Sequence, residues 1–263
     1  MQTLIMATPL TYTALPQMWR KMKTFGQYIA EAGAGAERQE TGLVDAINNS
    51  AKKGKIVLTT KGVNLSGVVK AEKYGGRSTA GTEPYTDVVI TARKKYNVSM
   101  KGSSAPSLAG GGLAGMELVI PGIGKRFMEA ALKHHKKTLK QGDKVPDLYA
   151  KLNDKDKMKL VLGDRKMGGP IDYMYIGPMD VVSKETRNGV SVNGKLEDAK
   201  KYAREHDLYF RLRARRGDQT FDPDAKDRGG IPTVYGKSPS RGDSKGRIMV
   251  TDKVPSARDI IVF

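Results

Sequence analysis

The chain has 263 residues, with 46 Lys or Arg against 28 Asp or Glu, and its net charge is +18 at pH 7. It contains no cysteine, which excludes disulfides, zinc–thiolate sites and thiol nucleophiles. Its hydrophobic content of 38% is enough for one substantial core, and the sequence has neither a run of about 18 apolar residues nor a signal peptide, so we expect a soluble protein.

The first predicted element is a helix near the start of the chain. Met18, Met22 and Phe25 follow Pro16 at helical spacing, and the glycines within residues 33–35 are predicted to end this helix. We take residues 1–35 as an N-terminal helical segment.

A second helix is predicted over residues 38–49, with Glu40 at the head of its apolar stripe. Leu43, Val44 and Ile47 follow at helical spacing, so the Glu40 carboxylate should lie on the face that turns to the core. A buried carboxylate is costly unless it is neutralised or meets a cation, and a divalent ion is one such cation. The alternative is a first-turn Glu that the helix dipole stabilises and that leans out to solvent.

The next predicted elements are strands over residues 55–59, 67–70, 86–90 and 96–101, and the last two form a hairpin. Apolar and polar residues alternate in the second strand of this hairpin, which puts Ser99 and Lys101 on one face. With the turn near residues 93–94, Asp87 lies almost opposite them, so its carboxylate and the ammonium share a face. The alternative is an ordinary surface ion pair.

Glu40, Asp87 and the strand Val98–Lys101 together resemble the motif set of the PD-(D/E)xK nuclease superfamily. In that family a helix Glu, a strand Asp and a strand (D/E)-x-K surround one or two divalent ions on a mixed sheet flanked by helices. The resemblance implies that Glu40 and Asp87 bind Mg²⁺ or Mn²⁺, and that Lys101 orients or activates the attacking water. Ser99 would occupy the second acidic position without being acidic, and Thr86 stands where the family has Pro.

The segment after Lys101 is rich in serine and glycine, and it is similar to the exit from the catalytic strand in phage-encoded members of this superfamily. The hydroxyls of Ser103 and Ser104 and the backbone amides at the glycines are candidates for phosphate contacts, because glycine lets a ligand approach the chain closely. A flexible linker is the alternative.

After residues 114–120 and a break at Pro121, helices are predicted over residues 125–140, 146–152, 154–162 and 196–205, and a strand over residues 172–176. The helix over 125–140 is strongly basic and begins with Lys125 and Arg126, which we predict to contact DNA. A solvated basic face is the better interpretation of its two histidines, His134 and His135, because the surrounding lysines would repel a metal ion.

Residues 208–215 alternate strictly, with an apolar face opposite a face formed by Tyr209, Arg211, Arg213 and Arg215. Cationic side chains about 7 Å apart match the phosphate spacing of nucleic acid tolerably, and the tyrosine offers a ring for stacking. The alternative is a solvated edge strand that its charges protect from aggregation.

Residues 217–263 are predicted to form an extended basic arm with short strands over 247–251 and 260–263. Lys237 and Arg241 continue the positive charge of the preceding strand. The apolar end of the arm should add strands to the core or pack on a partner.

The sequence therefore predicts an α/β protein in which residues 36–216 form a restriction-endonuclease-like core, a mixed central sheet flanked by helices. The resemblance implies a phage-encoded, Mg²⁺-dependent nuclease that binds DNA, most simply double-stranded, in the host cytoplasm or the virion. One alternative is a phage head or neck protein, alone or as a homo-oligomer, that kept the fold and binds DNA without cleaving it. Another, based on charge alone, is an RNA-binding protein; a membrane surface is a weaker partner.

Overall fold

The computed structural model describes residues 25–75, 83–103, 108–109, 112–213, 220–222, 247–254 and 260–263. The chain divides into two compact units, Met1–Ala34 and Gly35–Phe263, and the sheets and the site all belong to the second. Within the described residues, no helix combines the length and the apolar character needed to cross a membrane.

The described residues form five α-helices and one short 3-10 helix. The α-helices are α1 (Phe25–Ala51), α2 (Gly112–Val119), α3 (Ile123–Thr138), α4 (Asp154–Leu162) and α5 (Ala199–Glu205), and the 3-10 helix is Arg165–Met167. The strands up to the middle of the chain are β1 (Val57–Thr59), β2 (Leu65–Ser66), β3 (Lys70–Lys73), β4 (Val88–Thr91), β5 (Lys95–Gly102) and β6 (Leu148–Lys151). The remaining strands are β7 (Tyr173–Gly177), β8 (Ser183–Glu185), β9 (Gly189–Val192), β10 (Lys195–Asp198), β11 (Tyr209–Arg213), β12 (Arg247–Thr251) and β13 (Ile260–Ile261).

The strands make three mixed sheets, so the protein is α/β as the sequence predicts. The central sheet has five strands in the order β10-β7-β5-β4-β3, in which β3, β4 and β5 form an antiparallel meander and β7 runs parallel to β5. Two four-stranded sheets, β2-β1-β9-β8 and β12-β11-β6-β13, complete the fold.

The central sheet separates two hydrophobic clusters, because side chains alternate between its faces. Val98 and Tyr175 belong to the cluster that contains Leu43 and Ile47 of α1. Met174, between Tyr173 and Tyr175 on β7, belongs to the other cluster, with residues of α2, α3, α4 and α5. Ser99 is the register partner of Met174, so the polar face of β5 is turned toward this second cluster.

Helix α1 is one continuous helix from Phe25 to Ala51, so the predicted break at residues 33–35 is wrong. A glycine inside a helix costs about 1 kcal/mol relative to alanine, and alanines at alternate positions from 30 to 36 offset that cost here. Three other predicted elements also differ. The predicted strand over residues 67–70 falls mostly between β2 and β3, so only Lys70 lies in a strand. Residues 148–151 are strand β6 within a predicted helix, and the predicted helix 196–205 is strand β10 followed by α5.

The apolar C-terminal segments join the core, as expected. Strand β12 pairs with β11, and β13 pairs in parallel with β6. The Phe263 ring packs against those of Phe127 and Phe210, at 5.4 Å between centroids in each case. Strand β11 therefore lies between β6 and β12, and the edge-strand alternative for it is wrong.

His135 is 0% exposed, so the predicted solvated face is wrong for this histidine, which faces the core side of α3. We predict that buried His135 makes the fold sensitive to acid. Burial, and secondarily the charge of His134, lowers the pKa of His135 to about 4 from an ordinary 6.5. Between these pH values the unfolded chain holds the extra proton, so the free energy of unfolding falls as pH drops from 6.5 to 4, by about 3 kcal/mol in total. Urea unfolding at pH 7 and pH 4 should show this loss in the wild type and not in His135→Leu.

The matched control is His206→Gln, which removes a histidine whose side chain is exposed. It should keep the wild-type loss. Equal acid sensitivity in His135→Leu and the wild type would show that His135 is not the titrating group.

Candidate functional site

Asp87 lies where strand β4 begins, and its carboxylate is held by the neighbouring strand β5. Atom Oδ2 accepts hydrogen bonds from the Met100 amide at 2.6 Å and from Ser99 Oγ at 3.2 Å. The register pairs Val88 with Val98, which sets Asp87 opposite Ser99. The predicted hairpin register is therefore confirmed.

Lys101 lies two residues after Ser99, on the same face of β5. Its ammonium is buried, although the residue as a whole keeps some exposed surface. Burial lowers the pKa of Lys101, while the charges of Asp87 and Glu83 oppose that change. Burial likewise raises the pKa of Asp87 against the opposing effects of Lys101, the Met100 amide and Ser99. The two charges therefore act on each other within the fold, while the hydrogen bonds of the Asp87 carboxylate go to Ser99 and the Met100 amide.

Glu40 reaches the same end of the sheet from helix α1. Its side chain is only 24% exposed, and it lies well inside the helix, so a solvent-facing first-turn Glu is ruled out. Its pKa is raised, first by burial and then by the charge of Asp87. The Lys73 ammonium, at the end of β3, lies 3.9 Å from Glu40 Oε2 and opposes that rise.

Glu83 is a member of this group that the sequence pattern does not indicate. Its charge raises the pKa of both Asp87 and Glu40 and opposes the lowered pKa of Lys101. It stands four residues before Asp87 outside any strand, so no periodicity marks it. The site thus combines three carboxylates with the ammoniums of Lys73 and Lys101.

Two of these carboxylates, those of Glu40 and Asp87, match the small number of protein carboxylates with which Mg²⁺ is commonly bound. Mg²⁺ is commonly bound by one or two carboxylates, with waters and substrate phosphates completing its shell. Glu40 and Asp87 are partly buried, and the charge of Asp87 helps to raise the pKa of Glu40. In the part of the chain that the structure describes, no three Asp, Glu or His side chains are grouped to hold a metal ion, in keeping with Ser99 at the second acidic position.

The predicted phosphate contacts after β5 are described only in part. Ser103 is exposed directly beyond the end of β5, and Ser104 lies outside the described residues.

Helix α3 carries Lys125 and Arg126 on a basic, exposed surface. Lys125 makes a long ion pair with Glu129, at 3.9 Å. Further along the helix and just beyond it, other exposed lysines continue the same charge: Lys133, Lys136, Lys137 and Lys140. With about 1.5 Å of rise per residue, the basic row from Lys125 to Lys137 extends along about 18 Å.

The cationic face of β11 is partly neutralised. Arg211 donates to Asp147 Oδ2 from Nη2 at 2.6 Å and from Nε at 3.0 Å, and its guanidinium lies over the Tyr149 ring. Tyr209 is half-buried on the same face. The side chains of Arg213, Arg215, Lys237 and Arg241 lie outside the described residues.

Comparison of the chain with protein-family models, with curated proteins and with solved structures finds no match. Its function is therefore inferred from the geometry and charge of the site.

We predict that Lys73 competes with divalent cations for Glu40. Lys73→Met removes this partly exposed ammonium, and Mn²⁺ affinity measured by calorimetry should rise about twofold to fivefold, the range expected for one solvent-screened ion pair. The control is Lys70→Met on the same strand, which removes a lysine that pairs instead with Glu72 at 2.9 Å. Equal changes in both variants would mean that only the net charge matters.

Proposed function

We propose that the chain is a metal-dependent deoxyribonuclease with a restriction-endonuclease-like core. The observation that carries the proposal is the position of Asp87 at one end of the central sheet, where β5 holds its carboxylate and its charge acts on both Lys101 and Glu40. Cleavage of a phosphodiester needs this combination, because carboxylates hold a cation and an ammonium stabilises the charge that develops on phosphate.

The order of elements around the site supports this fold. Helix α1 precedes the antiparallel strands β3, β4 and β5, and β7 returns parallel to β5 after the intervening helices. The mixed sheet flanked by helices is the arrangement that the resemblance to PD-(D/E)xK nucleases implies. Glu40 lies on a helix, Asp87 at the start of one strand and Lys101 on the next strand, as the corresponding residues do in that family.

In this mechanism Glu40 and Asp87 would hold a Mg²⁺ or Mn²⁺ ion. A bound ion of this kind lowers the pKa of water and neutralises charge on phosphate. Ser99 and the Met100 amide fix the Asp87 carboxylate by hydrogen bonds, which keeps its free oxygen in a set direction.

Lys101 supplies the positive charge beside the reacting phosphate. Its burial strengthens its interaction with an anion, because water screens it less than it screens a surface lysine. The lowered pKa also eases the exchange of a proton with the attacking water, so Lys101 orients or activates that water.

DNA is the proposed substrate. The net charge of +18 attracts polyanions over a distance, and the exposed lysines of α3 offer a row of contacts to the phosphate backbone. The ion pair between Arg211 and Asp147 makes α3 the better docking surface among the described residues, since a phosphate would have to displace Asp147 from Arg211.

A second candidate function is DNA binding without cleavage, in a phage head or neck protein. Two observations favour it: a neutral Ser99 at the second acidic position, and the Lys73 ammonium beside Glu40. Both reduce the affinity of the site for a divalent ion.

Cleavage of supercoiled DNA with Mg²⁺ or Mn²⁺ separates the two functions. We expect Asp87→Asn and Lys101→Met to lower the rate of nicking at least about a hundredfold, because each removes a charge from the transition state. DNA affinity, measured by fluorescence anisotropy with Ca²⁺, should remain within about twofold of the wild type.

The matched control is Asp172→Asn. Asp172 also accepts a backbone hydrogen bond from β5, from the Asn97 amide at 2.9 Å, but at the other end of the strand. Its nicking rate should equal that of the wild type. A wild-type protein that cuts neither single- nor double-stranded DNA with either metal would leave DNA binding as the function.

The salt dependence of DNA binding tests the role of α3. Replacing Lys125, Arg126 and Lys133 together by Gln should reduce the slope of log affinity against log salt by about 0.9 for each duplex phosphate that is no longer neutralised. The control replaces three exposed lysines on other elements, Lys52, Lys184 and Lys200, and so removes the same amount of charge. Equal slopes in the two triple variants would assign the effect to net charge and not to α3.

A further inference from the structure

Gln39, the neighbour of Glu40 on helix α1, makes an unusual set of contacts for a helix side chain. It is 2% exposed. Its Nε2 donates to the carbonyl oxygens of Gly177 at 2.9 Å, Pro178 at 3.1 Å and Lys101 at 3.2 Å. Two N–H groups thus serve three carbonyls.

These carbonyls mark the point at which two parallel strands separate. Lys101 lies at the end of β5, and Gly177 ends β7, where the last register pair is Gly102 with Gly177. The ladder ends at this pair, so the carbonyl of Pro178 beyond it needs another donor, and those of Lys101 and Gly177 lie next to it. The Gln39 amide supplies it from the helix.

Helix α1 lies close to the segment after β7 at this point. There is little room between Gly42 and Val181, since a Cβ atom built on Gly42 would lie only 3.0 Å from Val181 Cβ. Arg38 Nε also donates to Asp180 Oδ1 at 3.0 Å, although that pair is exposed. Gln39 is therefore the buried polar contact in a tight junction between α1 and the strand ends.

We propose that Gln39 is a positioning residue for the proposed nuclease site, and that it holds Glu40 of α1 in register with Lys101 of β5. The proposal rests on the proposed function. Adjacent residues on a helix point about 100° apart, so an amide clamped at Gln39 fixes both the axial position and the rotation of the turn that presents Glu40. The same amide fixes the backbone of Lys101 itself.

If Gln39 only stabilised the fold, its replacement would act like the replacement of another buried contact of α1. Asn48 provides that control. Asn48 anchors the same helix to β3, where its Nδ2 donates to the Ala71 carbonyl at 2.9 Å and its Oδ1 accepts from the Ala71 amide at 2.8 Å. It lies more than two turns from Glu40. Gln39→Met and Asn48→Leu each replace a helix amide by an apolar side chain of similar size, so both should lower the melting temperature.

The test is Mn²⁺ affinity by calorimetry on the full chain, in a double-mutant cycle with Glu40→Gln. We expect Gln39→Met to weaken Mn²⁺ binding about tenfold, as for residues that orient metal ligands, and Asn48→Leu to leave it unchanged. In the Glu40→Gln background, Gln39→Met should have no further effect, because the ligand that it positions is already removed. Equal weakening by Gln39→Met and Asn48→Leu, or effects of Gln39→Met and Glu40→Gln that simply add, would overturn the proposal.

A wild-type protein that binds no Mn²⁺ and cuts no DNA would overturn the proposed function separately. Hydrogen exchange of the metal-free protein then decides the role of Gln39. Faster exchange over residues 37–44 in Gln39→Met, but not in Asn48→Leu, supports the clamp. Unchanged exchange over these residues in Gln39→Met rejects it.

Discussion

The cost of burying charge is the constraint on which the site depends. Asp87, Lys101 and Glu40 are withdrawn from water at one end of the central sheet, and burial disfavours the charged form of each. The fold compensates with fixed partners: a backbone amide and a hydroxyl for Asp87, and the ammonium of Lys73 for Glu40. A group of charges held in this way is poorly solvated and already oriented, which is the condition under which electrostatic catalysis is strong.

The arrangement of layers explains why these residues meet. Helix α1 covers one face of the central sheet with Leu43 and Ile47, while Asp87 and Lys101 belong to the opposite face. Glu40 can approach them only around the end of the sheet, where β5 and β7 separate. This end is the place where parallel strands leave backbone groups unpaired, and it is a common location for ligand sites in α/β proteins.

Local patterns predict the hairpin well and the distant contacts poorly. Alternation and the turn near residues 93–94 are enough to set Asp87 opposite Ser99, because a strand register is a local property. Glu83 and Lys73 have no such pattern, and the partner of Arg211 lies 64 residues away. The sequence predicts a helix where β6 lies because Leu148, Tyr149 and Ala150 are all apolar and buried, and a short apolar run does not distinguish the two.

The sheet β12-β11-β6-β13 draws its strands from residues 148–151, 209–213, 247–251 and 260–261. During synthesis on the ribosome, β6 and the apolar side of α3 emerge more than a hundred residues before β13, whose neighbour Phe263 covers Phe127 and Phe210. These apolar surfaces stay uncovered until β13 and Phe263 have been synthesised, and contacts between residues so distant in sequence form slowly. Until residue 263 has left the ribosome, Phe127 and Phe210 of the nascent chain therefore lack the ring that covers them in the folded protein.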